Sequence, residues 1–160
     1  MKKRRAAAAC FGGLYMDDRA YDALKLENQL CFPLYACSKE VIRRYKPYLD
    51  PLDLTYTQYL ALMVLWEKGC INVKALGDIL YLDSGTMTPV LKKLETKGYI
   101  TRTRSHEDER SVLATLTERG KALQEEAKHI PEELGGCVRL SPEEAFQLHG
   151  LLYKLLDGLN

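Results

Sequence analysis

Cysteine is the residue type in this sequence that is best suited to chemistry. The chain has five cysteines, at Cys10, Cys31, Cys37, Cys70 and Cys137. An odd count without a CxxC pair argues against both a disulfide framework and a zinc site. The three histidines stand far apart without ligand spacing, so the sequence predicts no metal site and no cofactor. The chemistry that remains is that of a free thiol.

The thiol of Cys31 lies within an apolar stretch whose spacing is mostly helical. The pattern predicts a long helix from about Leu26 to Lys46, with Cys31 on its buried face. Most buried thiols are inert, so this stretch alone favours core filler over a sensing thiol. Pro33 follows two residues later, and the helix therefore either starts near Cys31 or bends beside it.

The composition is that of an ordinary globular protein. The chain has 160 residues, of which 46% are hydrophobic and 28% charged, enough for one domain with a real core. No apolar run approaches the ~20 residues that a membrane span requires, so no membrane partner is expected. The start, MKKRRAAAAC, imitates a secretion signal, but its apolar part is shorter than the roughly 7–15 residues of such signals. We expect a mobile basic arm and a cytoplasmic protein.

Charge is distributed unevenly along a chain whose net charge is only +1. Residues 92–104 contain five basic residues against one acidic residue, whereas residues 105–160 contain six basic and eleven acidic residues. A basic middle and an acidic tail suggest that one face meets an anionic partner such as nucleic acid. Charge alone would favour the simpler explanation of a solvated helix face.

Two helices in the middle of the chain have clear start signals. Thr55 can cap a dense apolar helix from about Tyr56 to Lys68, which should be buried on most sides. Asn72 can cap a second helix that extends to Tyr81. The residues of this second helix expected to face inward are Val73, Leu76, Ile79 and Leu80.

A third helix follows the second after a tight turn. Asp83 or Ser84 caps it, and Gly98 ends it. Two short helices joined in this way form a helix-turn-helix, in which the later helix is the candidate for entering DNA. Its polar side carries Ser84, Thr86, Thr88 and Lys92.

Residues 99–104 and 111–116 alternate between apolar and polar side chains, which predicts two strands, each half-buried on one face. The six residues between them, SHEDER, are polar and charged. A helix-turn-helix followed by a hairpin with a charged tip is a winged helix. Its wing could hold Arg102, Arg104 and Arg110 near a duplex backbone or minor groove.

The C-terminal part is predicted to contain two more helices. Thr117 caps the first, which runs to about His129, and a Pro/Gly-containing flexible segment with Cys137 follows. Ser141 caps a final helix to about Leu159. This helix carries an apolar stripe without an obvious intrachain partner, formed by Phe146, Leu148, Leu151, Leu152 and Leu155. We expect a homodimer in which the N- and C-terminal helices pack together, a symmetry that suits a palindromic operator.

The expected fold class is mainly α with a small β-wing. Residues 1–25 would form the basic arm, residues 26–54 the sensor and dimerisation helix, residues 55–116 the winged helix-turn-helix, and residues 117–160 the C-terminal helices of the dimerisation region.

Four segments resemble the MarR family of winged-helix repressors, and in particular its organic-hydroperoxide-sensing OhrR branch. The segments are LENQLCF, LTYTQYLALMVLWE, VKALGDILYLDSGTMTPVLKKLETKGYITR and EDERSVLATLTERG. The resemblance covers about Leu26 to Lys128. LYLDSGTMTPVLKKLE together with DERSV is highly specific for the family, and LCF with two downstream tyrosines narrows the match to the peroxide-sensing branch.

The resemblance implies roles for particular residues. Cys31 matches the peroxidatic cysteine, which organic hydroperoxide oxidises to sulfenic acid, and Tyr45 and Tyr56 match tyrosines whose hydroxyls bond its sulfur. Residues 84–93, which include Lys93, match the recognition helix. Asp108 and Arg110 match a wing-tip pair whose arginine enters the minor groove.

The resemblance also suggests two fates for the oxidised cysteine. Cys137 looks like the resolving cysteine of two-cysteine members, which implies an intersubunit disulfide between Cys31 and Cys137. The other route is a mixed disulfide with a small cellular thiol. Cys37 lies ~9 Å from Cys31 along a helix and is turned away, beyond the ~7 Å limit for a disulfide.

Helix geometry adds a constraint on the thiol site. A free thiol has a pKa of about 8.5, so hydroxyl donors that favour the thiolate would increase its reactivity. Cys31 and Tyr45 are fourteen residues apart, or ~21 Å along one straight helix. If Tyr45 bonds the sulfur, it must come from the partner subunit.

Three functions are compatible with this sequence. The first is a repressor that binds palindromic operator DNA when reduced and is released when organic hydroperoxide oxidises Cys31. The second is a MarR-type repressor released by a small phenolic or other ligand, with no redox role for Cys31. The third, a thiol peroxidase, lacks a visible peroxidase motif such as an arginine beside the cysteine, so we expect a regulator and not an enzyme.

Overall fold

In the computed structural model, which describes residues 21–105, 111–136 and 139–159, the chain divides within its first helix. The N-terminal unit ends at Val41 and the C-terminal unit begins at Ile42. In the N-terminal unit, Asp22–Leu24 and Leu26–Asn28 form two short 3-10 turns that precede the helix. The C-terminal unit contains the winged helix.

The first helix, α1, spans Cys31–Leu49 and starts later than the predicted position at Leu26. Pro33 lies in its first turn, where backbone N–H groups have no intrahelical partner and a missing donor breaks no bond. Of the two predicted possibilities, the structure therefore supports a start at Cys31 and not a bend beside it. The helix also continues through Pro47, past the predicted end at Lys46.

Helix α2 spans Tyr56–Lys68 and forms the centre of the C-terminal unit. Thr55 caps it as predicted, because its hydroxyl accepts from the Gln58 N–H at 3.3 Å. The Gln58 side chain in turn accepts from the Thr55 N–H at 3.1 Å, which completes a capping box. Gly69 ends the helix with a φ of +72°, a conformation that favours glycine.

Helices α3 (Val73–Leu80) and α4 (Ser84–Thr96) form the predicted helix-turn-helix. Asn72 caps α3, and Asp83 is the cap of α4, so that Ser84 is its first residue. Gly77 lets the chain turn tightly between the helices, because a Cβ there would lie 2.7 Å from the Leu82 carbonyl oxygen in the turn and 3.4 Å from the Met87 side chain of α4.

The expectation that Ile79 faces inward is wrong, because 48% of its surface is exposed. Ile79 lies on the surface of α3 next to the buried stripe and not within it. That stripe is centred on Leu76 and Gly77, which are the buried residues of α3.

Three antiparallel strands form the wing and its base. They are β1 (Cys70–Asn72), β2 (Ile100–Arg104) and β3 (Val112–Leu116), in the order β1-β3-β2. Beyond the paired strands, the Ser105 N–H donates to the Ser111 carbonyl at 2.8 Å. The predicted hairpin is confirmed, and β1 pairs with β3 as a third strand.

The C-terminal helices are α5 (Glu118–Ala127), α6 (Ile130–Gly135) and α7 (Pro142–Asp157). Helix α6 corrects the prediction of a flexible segment after His129. Its proline lies at the start of the helix, where proline is tolerated. Ile130 and Leu134 are both buried one turn apart, so packing favours the helix despite the glycines that follow.

The core of the C-terminal unit is apolar and well covered. Its fully buried side chains include Leu62 and Leu65 of α2, Leu76 of α3, and Leu91 and Leu94 of α4. No residue of α7 is buried, by contrast. Among the described residues, no helix is both long enough and apolar enough to cross a membrane.

Candidate DNA-binding surface and thiol site

Helix α4 has one buried face and one exposed face, as a recognition helix requires. Met87, Leu91 and Leu94 hold it against the core. The residues predicted to contact DNA from this helix are all exposed: Ser84, Thr86, Thr88, Lys92 and Lys93. The structure therefore places hydroxyls near the N-terminal end of the exposed face and two ammonium groups further along it.

Hydrogen bonds at the N-terminal end of α4 order this polar face. The Asp83 carboxylate accepts from the Thr86 N–H and from the Thr86 hydroxyl, both at 3.0 Å. These bonds lower the pKa of Asp83, so the cap stays charged near neutral pH. The Thr88 hydroxyl donates to the Ser84 carbonyl at 2.7 Å. Two threonine side chains are thus oriented before any partner binds.

Arg102 does not project freely from the wing. Its Nε and Nη2 atoms donate to Glu95 Oε2 at 3.0 and 2.7 Å, and its backbone N–H donates to Glu95 Oε1 at 3.0 Å. The side-chain bond from Arg102 is the main cause of a lowered pKa at Glu95. This ion pair joins β2 to α4. Arg104, two residues further along β2, is exposed. Asp108 and Arg110 lie outside the described residues.

Cys31 is an exposed free thiol at the first residue of α1. The expectation of a buried position is therefore wrong for the single chain, because amphipathic spacing does not say which chain covers the face. Its thiol makes a long contact with Gln29 Oε1, at 4.0 Å. Leu30 and Phe32, its sequence neighbours, are also exposed. Cys137, the candidate resolving cysteine, lies outside the described residues.

Tyr45 and Tyr56 form a pair at the junction of α1 and α2. Their ring centroids are 4.7 Å apart, and Tyr59 lies 5.8 Å from Tyr45. Partial burial raises the pKa of both Tyr45 and Tyr56, and a hydrogen bond joins their hydroxyls. Both hydroxyls therefore stay protonated near neutral pH.

Sequence reasoning missed a polar cluster beside the tyrosine pair. Lys97, just after α4, forms an ion pair with Asp53 at 3.0 Å and donates to Gln58 Oε1 at 3.4 Å. Its ammonium also donates to the Asp53 carbonyl. Glutamine three residues after Thr55 was a usable signal for Gln58. No local signal links Lys97 to residues about forty positions earlier in the chain.

Histidine, cysteine and carboxylate side chains form no group of three that could hold a metal ion within the described part of the chain.

Comparison with known proteins agrees with this geometry. Residues 54–112 match the model of the MarR family. The organic hydroperoxide resistance transcriptional regulator of Bacillus subtilis is 54% identical over 143 residues, which is 89% of this chain and 97% of that protein.

Two solved structures of AbfR, a protein of Staphylococcus epidermidis, have the same fold. Reduced AbfR bound to DNA superimposes with a TM-score of 0.74 at 32% identity, covering 88% of this chain and 96% of that one. Overoxidised AbfR bound to DNA gives a TM-score of 0.71 at 35% identity, covering 88% and 99%.

These relatives confirm the predicted winged-helix fold and the expectation of a regulator in place of an enzyme. The chain belongs to the MarR family of winged-helix transcriptional regulators, in the branch of the organic hydroperoxide regulators.

Proposed function

We propose that this protein is a cytoplasmic, redox-switched repressor. The reduced homodimer binds a palindromic operator, and oxidation of Cys31 by an organic hydroperoxide releases it. The observation that carries the proposal is the exposed thiol at the start of α1, in a chain 54% identical to an organic hydroperoxide resistance regulator. Its exposure shows that Cys31 does not fill the core of its own chain.

DNA binding is assigned to the exposed face of α4 and to the wing. Ser84, Thr86 and Thr88 are assigned to base edges in the major groove. The Thr86 and Thr88 hydroxyls donate within α4 and can therefore accept from a base. Lys92, Lys93 and Arg104 supply positive charge for phosphates. On the basis of the family resemblance, Asp108 and Arg110 are assigned as the wing-tip pair whose arginine enters the minor groove. We assign Arg102 to holding the wing against α4, because Glu95 occupies its guanidinium.

The homodimer is supported by the apolar surface of α7. Phe146 is 80% exposed and Leu151 is 63% exposed, although both are large and apolar. Contiguous exposed apolar surface of this kind marks an interface. A second copy that covers α7 would remove it from water and would also place two recognition helices around a two-fold axis, as a palindrome requires.

The chemical step is nucleophilic. The Cys31 thiolate attacks the terminal oxygen of ROOH, and the O–O bond breaks to give the sulfenic acid and an alkoxide. The alkoxide takes up from water a proton equivalent to the one that the thiol released, and it leaves as the alcohol ROH. The first turn of a helix stabilises negative charge on a side chain such as Cys31. Leu30 and Phe32, exposed on either side, suit an alkyl peroxide better than hydrogen peroxide.

Tyr45 and Tyr56 are assigned as donors to the sulfur. Their raised pKa values keep both hydroxyls protonated, which is the form that hydrogen-bonds a thiolate. Because Cys31 and Tyr45 belong to the same helix, fourteen residues apart, the donors would come from the partner subunit.

The sulfenic acid then condenses with a second thiol to give a disulfide and water. That thiol is either Cys137 of the other subunit or a small cellular thiol. Overoxidised AbfR was solved on DNA, so in that relative an oxidised protein and a DNA complex are compatible. We therefore assign release in this chain to the disulfide and not to further oxidation of the sulfur.

DNA binding of wild type and Cys31→Ser, with and without an alkyl hydroperoxide and a small thiol, tests the proposal. Wild type should lose operator affinity on oxidation and regain it with reductant, whereas Cys31→Ser should keep its affinity throughout. Peroxide-driven release of Cys31→Ser would overturn the redox mechanism. Release of wild type by a phenolic ligand without oxidant would favour the ligand-switched alternative.

A non-reducing gel separates the two fates of the sulfenic acid. Peroxide-treated wild type should run as a crosslinked dimer if Cys137 resolves the sulfenic acid, and Cys137→Ser should not. A crosslinked dimer that persists in Cys137→Ser would remove Cys137 from the mechanism.

A further inference from the structure

Lys97 holds the C-terminal end of α4. The lysine ammonium contacts three oxygens: the Asp53 carboxylate at 3.0 Å, the Asp53 carbonyl, and Gln58 Oε1 at 3.4 Å. The Lys97 side chain is only 23% exposed, whereas its partner Asp53 is 86% exposed. The lysine therefore reaches inward from α4 to the segment between α1 and α2.

The Gln58 oxygen has a second function in this cluster. It also accepts from the Thr55 N–H, as one half of the capping box that starts α2. Gln58 is 2% exposed, so its side chain has little room to re-form these bonds elsewhere. One buried amide thus joins the first turn of α2 to the end of α4.

Tyr56 is the first residue of α2 and lies between the two members of that capping box. Its ring packs against Tyr45 at 4.7 Å. A displacement of this tyrosine pair is expected to disturb the first turn of α2, because Tyr56 is one of the four residues, 55–58, that the capping box spans. Gln58 and Lys97 then connect that turn to the recognition helix.

The opposite side of the same helix end is also fixed. Glu95 binds Arg102 through two side-chain bonds and one backbone bond, which joins α4 to β2. If Lys97 displaces the C-terminal end of α4, the wing would therefore move with it. Recognition helix and wing are expected to shift as one body.

We propose that Lys97 is a positioning residue that couples the Tyr45–Tyr56 pair to the recognition helix through Gln58. The proposal rests on the proposed function, since it assigns the link between thiol oxidation and DNA release. Without the Lys97 contacts, oxidation of Cys31 proceeds but its effect on α4 is lost. The Lys97→Met protein should then stay on DNA when oxidised.

The test compares operator affinity of the full-length reduced and oxidised proteins for wild type, Lys97→Met and Lys121→Met. Lys121 is the matched control, because it also loses one charge from a lysine–carboxylate pair, here with Glu118 on the surface. Cys31 oxidation is measured separately by mass spectrometry in every sample. Thermal unfolding establishes that each variant is folded.

Allosteric coupling of this kind typically changes affinity by about 5–150-fold. For Lys97→Met, the ratio of oxidised to reduced dissociation constants should fall about 10-fold relative to wild type, with Cys31 oxidised to the same extent. Lys121→Met should keep the wild-type ratio. A wild-type ratio in Lys97→Met would overturn the proposal.

Failure of the proposed function gives a different result, because wild type itself would then show no release despite an oxidised Cys31. If Lys97→Met does not fold, Lys97→Gln decides. Glutamine is polar and suits this partly exposed position, but its side chain is shorter and uncharged, so it does not replace the ammonium contact with Gln58 Oε1. A reduced ratio in Lys97→Gln supports the coupling, and an unchanged ratio contradicts it.

Discussion

Leucine side chains are buried in the core of the winged helix but exposed on the surface of α7. Leu65 of α2 is fully buried by side chains of its own chain, whereas Leu151 of α7 is 63% exposed. Cys31, at the first residue of α1, is exposed as well. The described part of the winged helix thus buries its core side chains within one chain. The parts assigned to sensing and pairing present surfaces that a second copy would cover.

The largest expected effect comes from the core. Leu65→Ala removes buried methyl groups and leaves a cavity, and should lower the free energy of unfolding by about 2–5 kcal/mol. Leu151→Ala, the same change on the exposed stripe, should affect intrinsic chain stability far less. Urea unfolding at a fixed protein concentration measures both variants. Equal losses would contradict the distinction between the two regions.

Leu151→Asp tests the α7 surface directly. A carboxylate placed within an apolar interface loses its hydration without a partner, so the dimer dissociation constant should rise by about 100-fold. Analytical ultracentrifugation over a range of concentrations measures it. Lys154→Asp, at an exposed position beside the apolar stripe, is the control and should leave the dimer largely intact. An unchanged dimer in Leu151→Asp would place the interface elsewhere.

Tyr45→Phe tests the link between the two regions. Loss of one hydroxyl donor to the thiolate should slow Cys31 oxidation by alkyl hydroperoxide about 10-fold, since a hydrogen bond to a charged group contributes about 1.5–3 kcal/mol. The ring remains, so folding and reduced-state DNA binding should change little. Stopped-flow measurement of thiol loss gives the rate, and Tyr35→Phe serves as a control. A wild-type rate would remove Tyr45 from the site.

The smallest expected effect on stability comes from the Glu95–Arg102 pair, which joins the wing to α4. Because the folded-state pKa of Glu95 is lowered, its bond to Arg102 stabilises the fold above the ordinary value of 4.5. That contribution is lost as the pH falls through the folded-state value. Glu95→Gln should therefore cost under about 1 kcal/mol near neutral pH, and the difference from wild type should shrink in acid. A difference that is independent of pH would exclude the charge as its source.

Local signals in the sequence predicted most of the fold. The caps Thr55, Asn72 and Ser141 each begin the helix that they were expected to begin, because a side-chain oxygen at that position satisfies free N–H groups. The alternating runs on both sides of the charged hairpin are strands. Helix α6 was missed, because glycines suggested flexibility and the burial of Ile130 and Leu134 depends on distant packing.

The site was only partly predictable. The recognition helix has the expected exposed residues, since helical periodicity fixes which face is polar. The engagement of Arg102 by Glu95 and of Lys97 by Gln58 depends on contacts across turns and between distant segments, which no local pattern encodes. The exposure of Cys31 was also missed. An apolar stripe predicts that its side chains are covered, but it does not indicate whether the same chain or a second copy covers them.

The central claim is that the sensor belongs to the dimer, with Cys31 of one subunit activated by Tyr45 of the other. A mixed dimer of Cys31→Ser and Tyr45→Phe chains, purified with two different tags, contains one remaining Cys31. If the tyrosine acts across the interface, that thiol faces an intact Tyr45 and should react with alkyl hydroperoxide at the wild-type rate per thiol. Reaction at the slow rate of the Tyr45→Phe homodimer would contradict the account.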